Sequence, residues 1–353
     1  MHIVIANPRG FCAGVGRAVL MVERALEEFG APVYVRHEIV HNRHVVNRLR
    51  QQGAVFVDDL TGLPAHARVI FSAHGVSRSV TEQAQALQLQ PLDATCPLVT
   101  KVHQEVERHG LAGRSVILVG HAGHAEVEGT LGHFQAQGDA QIHLISNEEQ
   151  AQSVNVSNPE MVAYATQTTL SVDDTARILA VLQQRFPAIV GPRQDDICYA
   201  TQNRQTAARD LAQRSQVVLV VGAPHSSNTL RLQELVMQCG RPAHLIESAA
   251  DLQRAWLEGC EVVGLTSGAS VPETLVEGVV AQLMAWWPGS DVESFGQAEQ
   301  VVFSLPRALR REARPLGEPF GEPFAEPFGE PPGNLPNLAS SAKPAPRRPG
   351  AAE

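Results

Sequence analysis

Hydrophobic residues follow two different periods along the first 290 positions of the chain. Short apolar runs, such as "HIVIA" at 2–6 and "SVILV" at 115–119, alternate with longer segments in which apolar residues recur every three or four positions. The short runs predict buried strands, and the longer segments predict amphipathic helices. Because strands that are apolar on both faces occur mainly in parallel sheets covered by helices, the pattern predicts an α/β fold with parallel sheets.

The same order of elements occurs three times, and each time it begins at a cysteine. Helical segments follow Cys12, Cys96 and Cys198, and each helix leads to three apolar strands that end in polar residues. These polar residues recur at matched distances, 28 or 29 and then 62 or 72 positions after the cysteine: His41, His124 and Ser226, followed by His74, Thr168 and Ser270. Since ligands of open parallel sheets bind beyond the carboxyl ends of the strands, we expect these side chains to meet.

We therefore predict three pseudo-symmetric lobes of βαβ type around a central cavity, with boundaries at 1–95, 96–195 and 196–290. Three independent α/β domains with unrelated turn residues are the alternative. Residues 291–353 are predicted to form a C-terminal extension. From about residue 307 this extension is rich in proline and repeats the unit "GEPF", a composition that is typical of a disordered tail.

Composition narrows the class of protein. The 353 residues carry a formal net charge of −9, which disfavours non-specific binding to nucleic acid. No apolar run approaches the roughly 18 residues of a membrane helix, and the first residues carry no signal-peptide pattern, so we expect a cytoplasmic protein that does not bind a membrane. The five cysteines lack the regular spacing of a disulfide framework.

Three cysteines that meet in one cavity would form a metal site with an open position. A [4Fe–4S] cluster has four irons to ligate, so Cys12, Cys96 and Cys198 would leave one iron free for a substrate. A zinc site with three thiolates and a histidine, or three buried reduced cysteines, are the alternatives. Each of the three precedes a helix amino end, where the helix dipole favours the thiolate. Cys239 and Cys260 have no repeat counterparts and are predicted to be structural residues in apolar surroundings.

The polar strand ends are hydrogen-bond donors suited to an anion. They are His41, His74, His124, Thr168, Ser226, Ser227, Asn228 and Ser270. Taken singly, each histidine is more often an ordinary turn residue, and no nucleotide-binding glycine motif accompanies them. Glu126 is a carboxylate at the same strand end as His124, which suits a general acid. Glu128 is its rival, and helix capping is the alternative role for both.

Nine motifs in order closely resemble the IspH (LytB) family, which reduces 4-hydroxy-3-methylbut-2-enyl diphosphate in the methylerythritol phosphate route to isoprenoids. They are "GFCAGVGRAV", "HEIVHN", "SAHGVS", "DATCPLVTKVH", "GHAGHAEVEGT", "ATQTTLS", "DDICYATQNRQ", "SSNTLRL" and "TSGASVPE". The resemblance extends to about residue 285 and implies a trilobed α/β fold. The family position of Gly16 is commonly Asp, and the proline-rich tail has no counterpart that we know of in the family.

The resemblance also implies the cofactor and the roles of individual residues. The [4Fe–4S] cluster would be bound by Cys12, Cys96 and Cys198. Glu126 would be the proton source, Thr168 would lie near the substrate hydroxyl, and Gln167 would order a water molecule. The substrate diphosphate would be held by residues at the positions of His41, His74, His124, Ser226, Ser227, Asn228 and Ser270.

The implied reaction is a reductive dehydroxylation that yields isopentenyl and dimethylallyl diphosphate. Because the chain has no flavin or nicotinamide motif of its own, a ferredoxin or flavodoxin is the expected electron donor. Two other functions stay open from the sequence. One is a non-redox iron–sulfur hydro-lyase acting on a phosphorylated substrate, and the other is a zinc-bearing phosphate-binding module without catalysis.

Overall fold

Strands and helices alternate along the chain in the order that the hydrophobic pattern predicts. The computed structural model describes residues 1–310. Its strands are β1 (His2–Ala6), β2 (Val33–Arg36), β3 (Ala54–Val57), β4 (Arg68–Phe71), β5 (Gln90–Asp93), β6 (Ser115–Val119), β7 (Ile142–Ile145), β8 (Val162–Thr166), β9 (Val217–Val221), β10 (Ala243–Ile246), β11 (Val262–Ser267) and β12 (Asp291–Phe295). Its α-helices are α1 (Ala13–Phe29), α2 (Arg43–Gln51), α3 (Arg78–Ala86), α4 (Pro97–Leu111), α5 (Ala125–Leu131), α6 (Glu148–Ser153), α7 (Val172–Arg185), α8 (Tyr199–Arg214), α9 (Ser227–Gln238) and α10 (Glu273–Trp286).

Three parallel sheets repeat one arrangement. Their central parts have the strand orders β3-β2-β4, β7-β6-β8 and β10-β9-β11, so the first strand after each cysteine helix lies in the middle. All strand pairs between residues 1 and 310 are parallel, for example Ile117 of β6 beside His143 of β7 and Tyr164 of β8. The predicted fold class of three parallel-sheet lobes is confirmed.

The strand before each cysteine lies in the sheet of the preceding lobe. Strand β5, which leads to Cys96, pairs with β4 of lobe one, and Val190, ahead of Cys198, forms a bridge to Ala163 of lobe two. By the same rule β1, which leads to Cys12, pairs with β11 and β12 of lobe three. Residues 2–6 and 291–295 therefore pair within the lobe-three sheet. The predicted lobe boundaries at 1–95, 96–195 and 196–290 stay a prediction.

Apolar burial on α1 shows why the cysteine helices form where they do. Ala18, Met21, Val22 and Ala25 recur at helical spacing and are fully buried against lobe one. Their partners include Val35 of β2. Each buried Met or Val side chain contributes about 1.5–3 kcal/mol of transfer free energy, so this apolar face holds α1 against the lobe-one sheet.

Residues 296–310 run from lobe three back to lobe one. The backbone carbonyl of Ser304 accepts a hydrogen bond from Arg17 Nε at 3.0 Å, and Leu309 is buried in the lobe-one core. A short 3₁₀ helix spans Arg307–Leu309. Residues 307–310, which the sequence assigned to the start of a disordered tail, are therefore ordered, and the rest of that predicted tail, from residue 311, lies outside the described residues.

Candidate active site

The carboxyl ends of the strands meet around one central cavity, which is partly open to solvent and has a volume of about 700 Å³ including that open space. The three lobes contribute to its wall as the repeat predicts. Twelve of the thirteen predicted site residues line it: Cys12, Cys96, Cys198, His41, His74, His124, Glu126, Thr168, Ser226, Ser227, Asn228 and Ser270. Residues at matched distances from the three cysteines in the sequence therefore line the same cavity in the structure.

One backbone contact holds each cysteine at the cavity. The amide of Cys12 donates to the carbonyl of Ala269 at 3.2 Å, just beyond the end of β11. Cys96 donates to Ala73 at 2.9 Å, and Cys198 donates to Thr168 at 3.1 Å, so each amide bonds to the loop after the last repeat strand of the preceding lobe. Each cysteine is also the N-cap residue of its helix. Three equivalent turns thus bring three sulfur atoms to the same wall.

The space between the cysteines fits a sulfur-ligated metal group. A Cβ atom at Gly14 would lie 2.7 Å from Cys96 Sγ and 3.9 Å from Cys12 Sγ, so the absent side chain leaves room beside two of the sulfurs. Sulfur is the ligand that iron–sulfur clusters require. The donor set and the cradle at Gly14 are both suited to such a cluster.

Burial changes the expected ionisation of the free thiols. It raises the pKa of Cys96 to about 12, and it raises the pKa of Cys198 to about 11, with the neighbouring thiols adding to the effect. The backbone amides at the helix starts favour the thiolate, as expected, but desolvation outweighs them in these two free thiols. A metal bound by these cysteines would have to offset the desolvation of the thiolates with its own positive charge.

The other two cysteines lie away from this cavity. Cys260 packs partly against the lobe-three core, as predicted for a structural residue. Cys239 caps the C-terminal end of α9 and is exposed, so the predicted apolar surroundings are wrong there.

Glu126 and Thr168 form a buried pair at the cavity wall. The backbone amide of Thr168 donates to Glu126 Oε1 at 2.6 Å, and Thr168 Oγ1 donates to Oε2 at 2.9 Å. Burial raises the pKa of Glu126 to about 7, the negative charge of Asp196 adds to this, and the two Thr168 bonds oppose it. A carboxyl group with this pKa holds a proton near neutral pH and can release it, as a general acid must.

Glu128 and helix capping do not compete with this assignment. Glu128 is exposed and does not line the cavity. His124 provides the cap of α5, because its Nδ1 accepts the backbone amide of Glu126 at 3.2 Å. The Glu126 carboxylate bonds to Thr168 instead of to the helix end.

Three histidines cluster on the cavity wall. The rings of His41 and His74 are stacked with centroids 4.1 Å apart, and the His124 ring lies edge-on at 5.4 Å from His41 and 5.8 Å from His74. Burial lowers the pKa of His124 to about 4 and lowers that of His74 well below its usual value, with repulsion between the rings adding to both. Both rings are thus neutral at neutral pH.

The hydrogen bond to His124 also fixes its tautomer. Because Nδ1 accepts the Glu126 amide, Nε2 carries the proton and is a donor while the ring is neutral. His124 can therefore donate to an anion without first becoming charged.

Lobe three adds uncharged donors. Helix α9 begins at Ser227, with Ser226 as its N-cap, and a helix amino end attracts anions. Asn228 Oδ1 accepts the amide of Ala269 at 2.9 Å. The Nδ2 atom of Asn228 and the Nε2 atom of His41 are buried without a hydrogen-bond partner among residues 1–310. A buried polar atom without a partner destabilises the folded protein, so each of these atoms favours a bound ligand or water.

Gln167 is the one predicted site residue that does not line the cavity. It is 1% exposed, its Oε1 accepts the amide of His121 at 3.1 Å, and its Nε2 donates to Thr169 Oγ1 at 3.0 Å. The side chain therefore holds two loops together behind the wall. Its predicted role of ordering a water stays a prediction.

Sequence reasoning missed several residues near the site. Thr169 lines the cavity and donates to Ser227 Oγ at 3.0 Å. Arg204 is fully buried, bonds to both Glu299 oxygens at 3.0 Å, and donates to the carbonyl of Gly10 at 2.9 Å, two residues before Cys12. Thr169 stands beside Thr168 in "ATQTTLS" and could have been found there, but no local signal marks Arg204.

Comparison with known proteins agrees with this geometry. The model of the LytB protein family matches residues 3–284. The chain belongs to the LytB family. It is 56% identical over 310 residues to the 4-hydroxy-3-methylbut-2-enyl diphosphate reductase of Pseudomonas savastanoi pv. phaseolicola, covering 88% of this chain and 98% of that protein. The LytB relative from Methylococcus capsulatus, which has the same name, is 54% identical over 311 residues, 88% and 99% of the two chains.

Solved structures show the same LytB fold. The E-1-hydroxy-2-methyl-but-2-enyl-4-diphosphate reductase of Plasmodium falciparum superposes with a TM-score of 0.82 at 36% identity, covering 87% of this chain and 96% of that one. A structure of (E)-4-hydroxy-3-methyl-but-2-enyl diphosphate reductase, described as the terminal enzyme of the non-mevalonate pathway, superposes with a TM-score of 0.58 at 30% identity, covering 81% and 100%. Within residues 1–310, every helix is too short or too polar to cross a bilayer.

Proposed function

We propose that this chain is a 4-hydroxy-3-methylbut-2-enyl diphosphate reductase. It would remove the allylic hydroxyl group and yield isopentenyl and dimethylallyl diphosphate, the last step of the methylerythritol phosphate route. The observation that carries the proposal is one cavity whose wall combines three cysteines, a buried protonatable carboxyl group and a set of anion donors. The membership in the LytB family and the names of the relatives support the same reaction.

Cys12, Cys96 and Cys198 would bind a [4Fe–4S] cluster, as their shared wall and the cradle at Gly14 suit. When bound there, the cluster would supply the substrate with two electrons, one at a time, from an external donor protein. We propose a ferredoxin or a flavodoxin as that donor, and the cytoplasm as the compartment. The remaining chemistry belongs to the side chains of this chain.

The diphosphate end of the substrate would bind among the histidines and the start of α9. His124 Nε2 donates while neutral, and Asn228 Nδ2 and His41 Nε2 are buried without a partner among residues 1–310, so an anion there satisfies all three. The hydroxyl groups of Ser226, Ser227 and Ser270 line the same part of the wall. A bound diphosphate also favours protonation of His74 and His124, which opposes the effect of burial on the pKa of these two rings.

Glu126 would deliver a proton to the leaving hydroxyl group. Its pKa of about 7 leaves the carboxyl group protonated in much of the population at neutral pH. Thr168 holds both carboxyl oxygens, so the group is oriented before the substrate arrives. As the C–O bond breaks, the hydroxyl leaves as water, two electrons enter the carbon skeleton, and a second proton forms the new C–H bond.

The deciding experiment compares turnover with and without a reductant. Anaerobically purified protein with full iron and sulfide content is given the hydroxylated allylic diphosphate, with or without dithionite and methyl viologen. We expect isopentenyl and dimethylallyl diphosphate only when the reductant is present. Product formation without reductant would contradict the proposal and favour the hydro-lyase, and a colourless zinc protein would favour the binding module.

A further inference from the structure

Glu38 links two lobes at the edge of the histidine cluster. It lies between β2 and α2 of lobe one, and its Oε2 atom is 3.3 Å from His41 Nδ1. The same oxygen is 3.1 Å from Nε2 of His225, which precedes the Ser226 cap in lobe three. Neither Glu38 nor His225 lines the cavity or belongs to the residues assigned above.

The carboxylate determines which nitrogen of His41 faces the cavity. An ionised carboxylate can only accept hydrogen bonds, so His41 Nδ1 and His225 Nε2 must both be the donors. His41 Nε2 is then left for the cavity, where it is buried without a partner among residues 1–310. The bonds from the two histidines also lower the pKa of Glu38, so it stays a carboxylate.

Lobe three holds His41 at a second point. Ser270 Oγ donates to the backbone carbonyl of His41 at 3.0 Å. The ring is thus fixed through Glu38 and His225, while the backbone is fixed through Ser270. His41 belongs to lobe one, yet its position depends on groups of lobe three.

We propose that Glu38 is a positioning residue, which, with His225, holds His41 so that Nε2 points at the diphosphate of the substrate. This inference rests on the proposed function for the identity of the anion. Glu38 does not touch the substrate but acts through His41. Because Nδ1 donates to Glu38, Nε2 can donate to the anion only from a ring that carries both protons, and the Glu38 carboxylate stabilises that positively charged form.

The test measures anion binding as well as turnover in the cluster-loaded enzyme. Glu38→Gln keeps the size of the side chain and removes its charge. We expect KM for the allylic diphosphate and the inhibition constant of inorganic diphosphate to rise about tenfold, with kcat within about threefold of the wild type. Glu38→Asp should recover part of the loss, and His225→Ala should cost about threefold in the same constants. Glu128→Gln is the matched control and should leave both constants unchanged.

A double variant separates positioning from a general structural role. If Glu38 acts through His41, adding Glu38→Gln to His41→Asn should change the inhibition constant less than twofold further. Because exposed ion pairs contribute little to the free energy of unfolding, the thermal midpoint of Glu38→Gln should match that of the wild type.

The contrary outcomes are distinct. Wild-type constants in Glu38→Gln, or additive effects in the double variant, would overturn the role of Glu38 while leaving the reductase intact. A wild-type enzyme that fails to reduce the allylic diphosphate would instead overturn the proposed function.

Discussion

Lobes one and two place different chemistry at equivalent positions. The residue 28 or 29 positions after the cysteine is a histidine in both lobes. The third strand of the repeat differs: β4 of lobe one leads to His74, whereas β8 of lobe two leads to Thr168. His74 stacks on His41 and adds to an anion-binding cluster. Thr168 bonds to Glu126 and forms a buried acid pair. The shared backbone sets where side chains meet, and single residues decide whether a lobe binds charge or carries a proton.

All three lobes share the cysteine turn. Replacing one of these cysteines should have the largest effect on cluster content and turnover. We expect Cys96→Ser to abolish cluster binding and all measurable turnover, because a hydroxyl group is a poor replacement for a thiolate ligand. Iron and sulfide content and the visible absorbance band after anaerobic purification measure the loss. Cys239→Ser, at an exposed position that does not line the cavity, is the control and should keep a full cluster. Equal loss in both variants would refute the ligand assignment.

The acid pair of lobe two is the feature that lobe one lacks, and its removal should have the next largest effect. Glu126→Gln preserves shape but cannot donate a proton with the same ease, so kcat should fall by about 10²–10⁴-fold. Cluster content and the inhibition constant of inorganic diphosphate should remain at wild-type values, because the histidine cluster is intact. Glu128→Gln serves as the control and should turn over normally. A normal kcat in Glu126→Gln would remove Glu126 from the mechanism.

A smaller change within the pair should move the pH dependence of turnover. Glu126 must be protonated to act, so kcat should fall as the pH rises through its pKa of about 7. The Thr168 hydroxyl stabilises the ionised form, so Thr168→Val should raise that pKa and shift the alkaline limb of the kcat profile to higher pH. The loss of one oriented hydrogen bond should also lower kcat by about tenfold. An alkaline limb that stays in place or moves to lower pH would show that Thr168 does not tune this carboxyl group.

The sequence predicts the repeated part of the fold because its signals are local. Each central strand is a short apolar run, and each cysteine helix carries its own apolar stripe, so strands β2 to β4, β6 to β8 and β9 to β11 could be predicted. The partner of β1 could not be predicted. The run "HIVIA" indicates a strand, but nothing within it points to neighbours at residues 262–265 and 291–295.

The same distinction applies to the candidate site. The cysteines and the strand-end donors stand at regular spacings, so the sequence alone brings them together. The roles of Glu38 and His225 could not be predicted, because they meet only through a contact between two lobes. The Gln167 side chain points away from the cavity, because His121 and Thr169 bond to both ends of its amide group. The ionisation of the thiols was also beyond the sequence, since burial depends on the assembled lobes.

The membership of β1 in the lobe-three sheet bears on the order of synthesis. Within residues 1–310, β1 is the first strand to be translated, while its two neighbours, β11 and β12, are the last two. The carbonyl of Ala269 that holds the Cys12 amide is made equally late. Strand β1 must therefore wait until β11 and β12 have been translated, so the three lobes close around the cavity only after lobe three has been made.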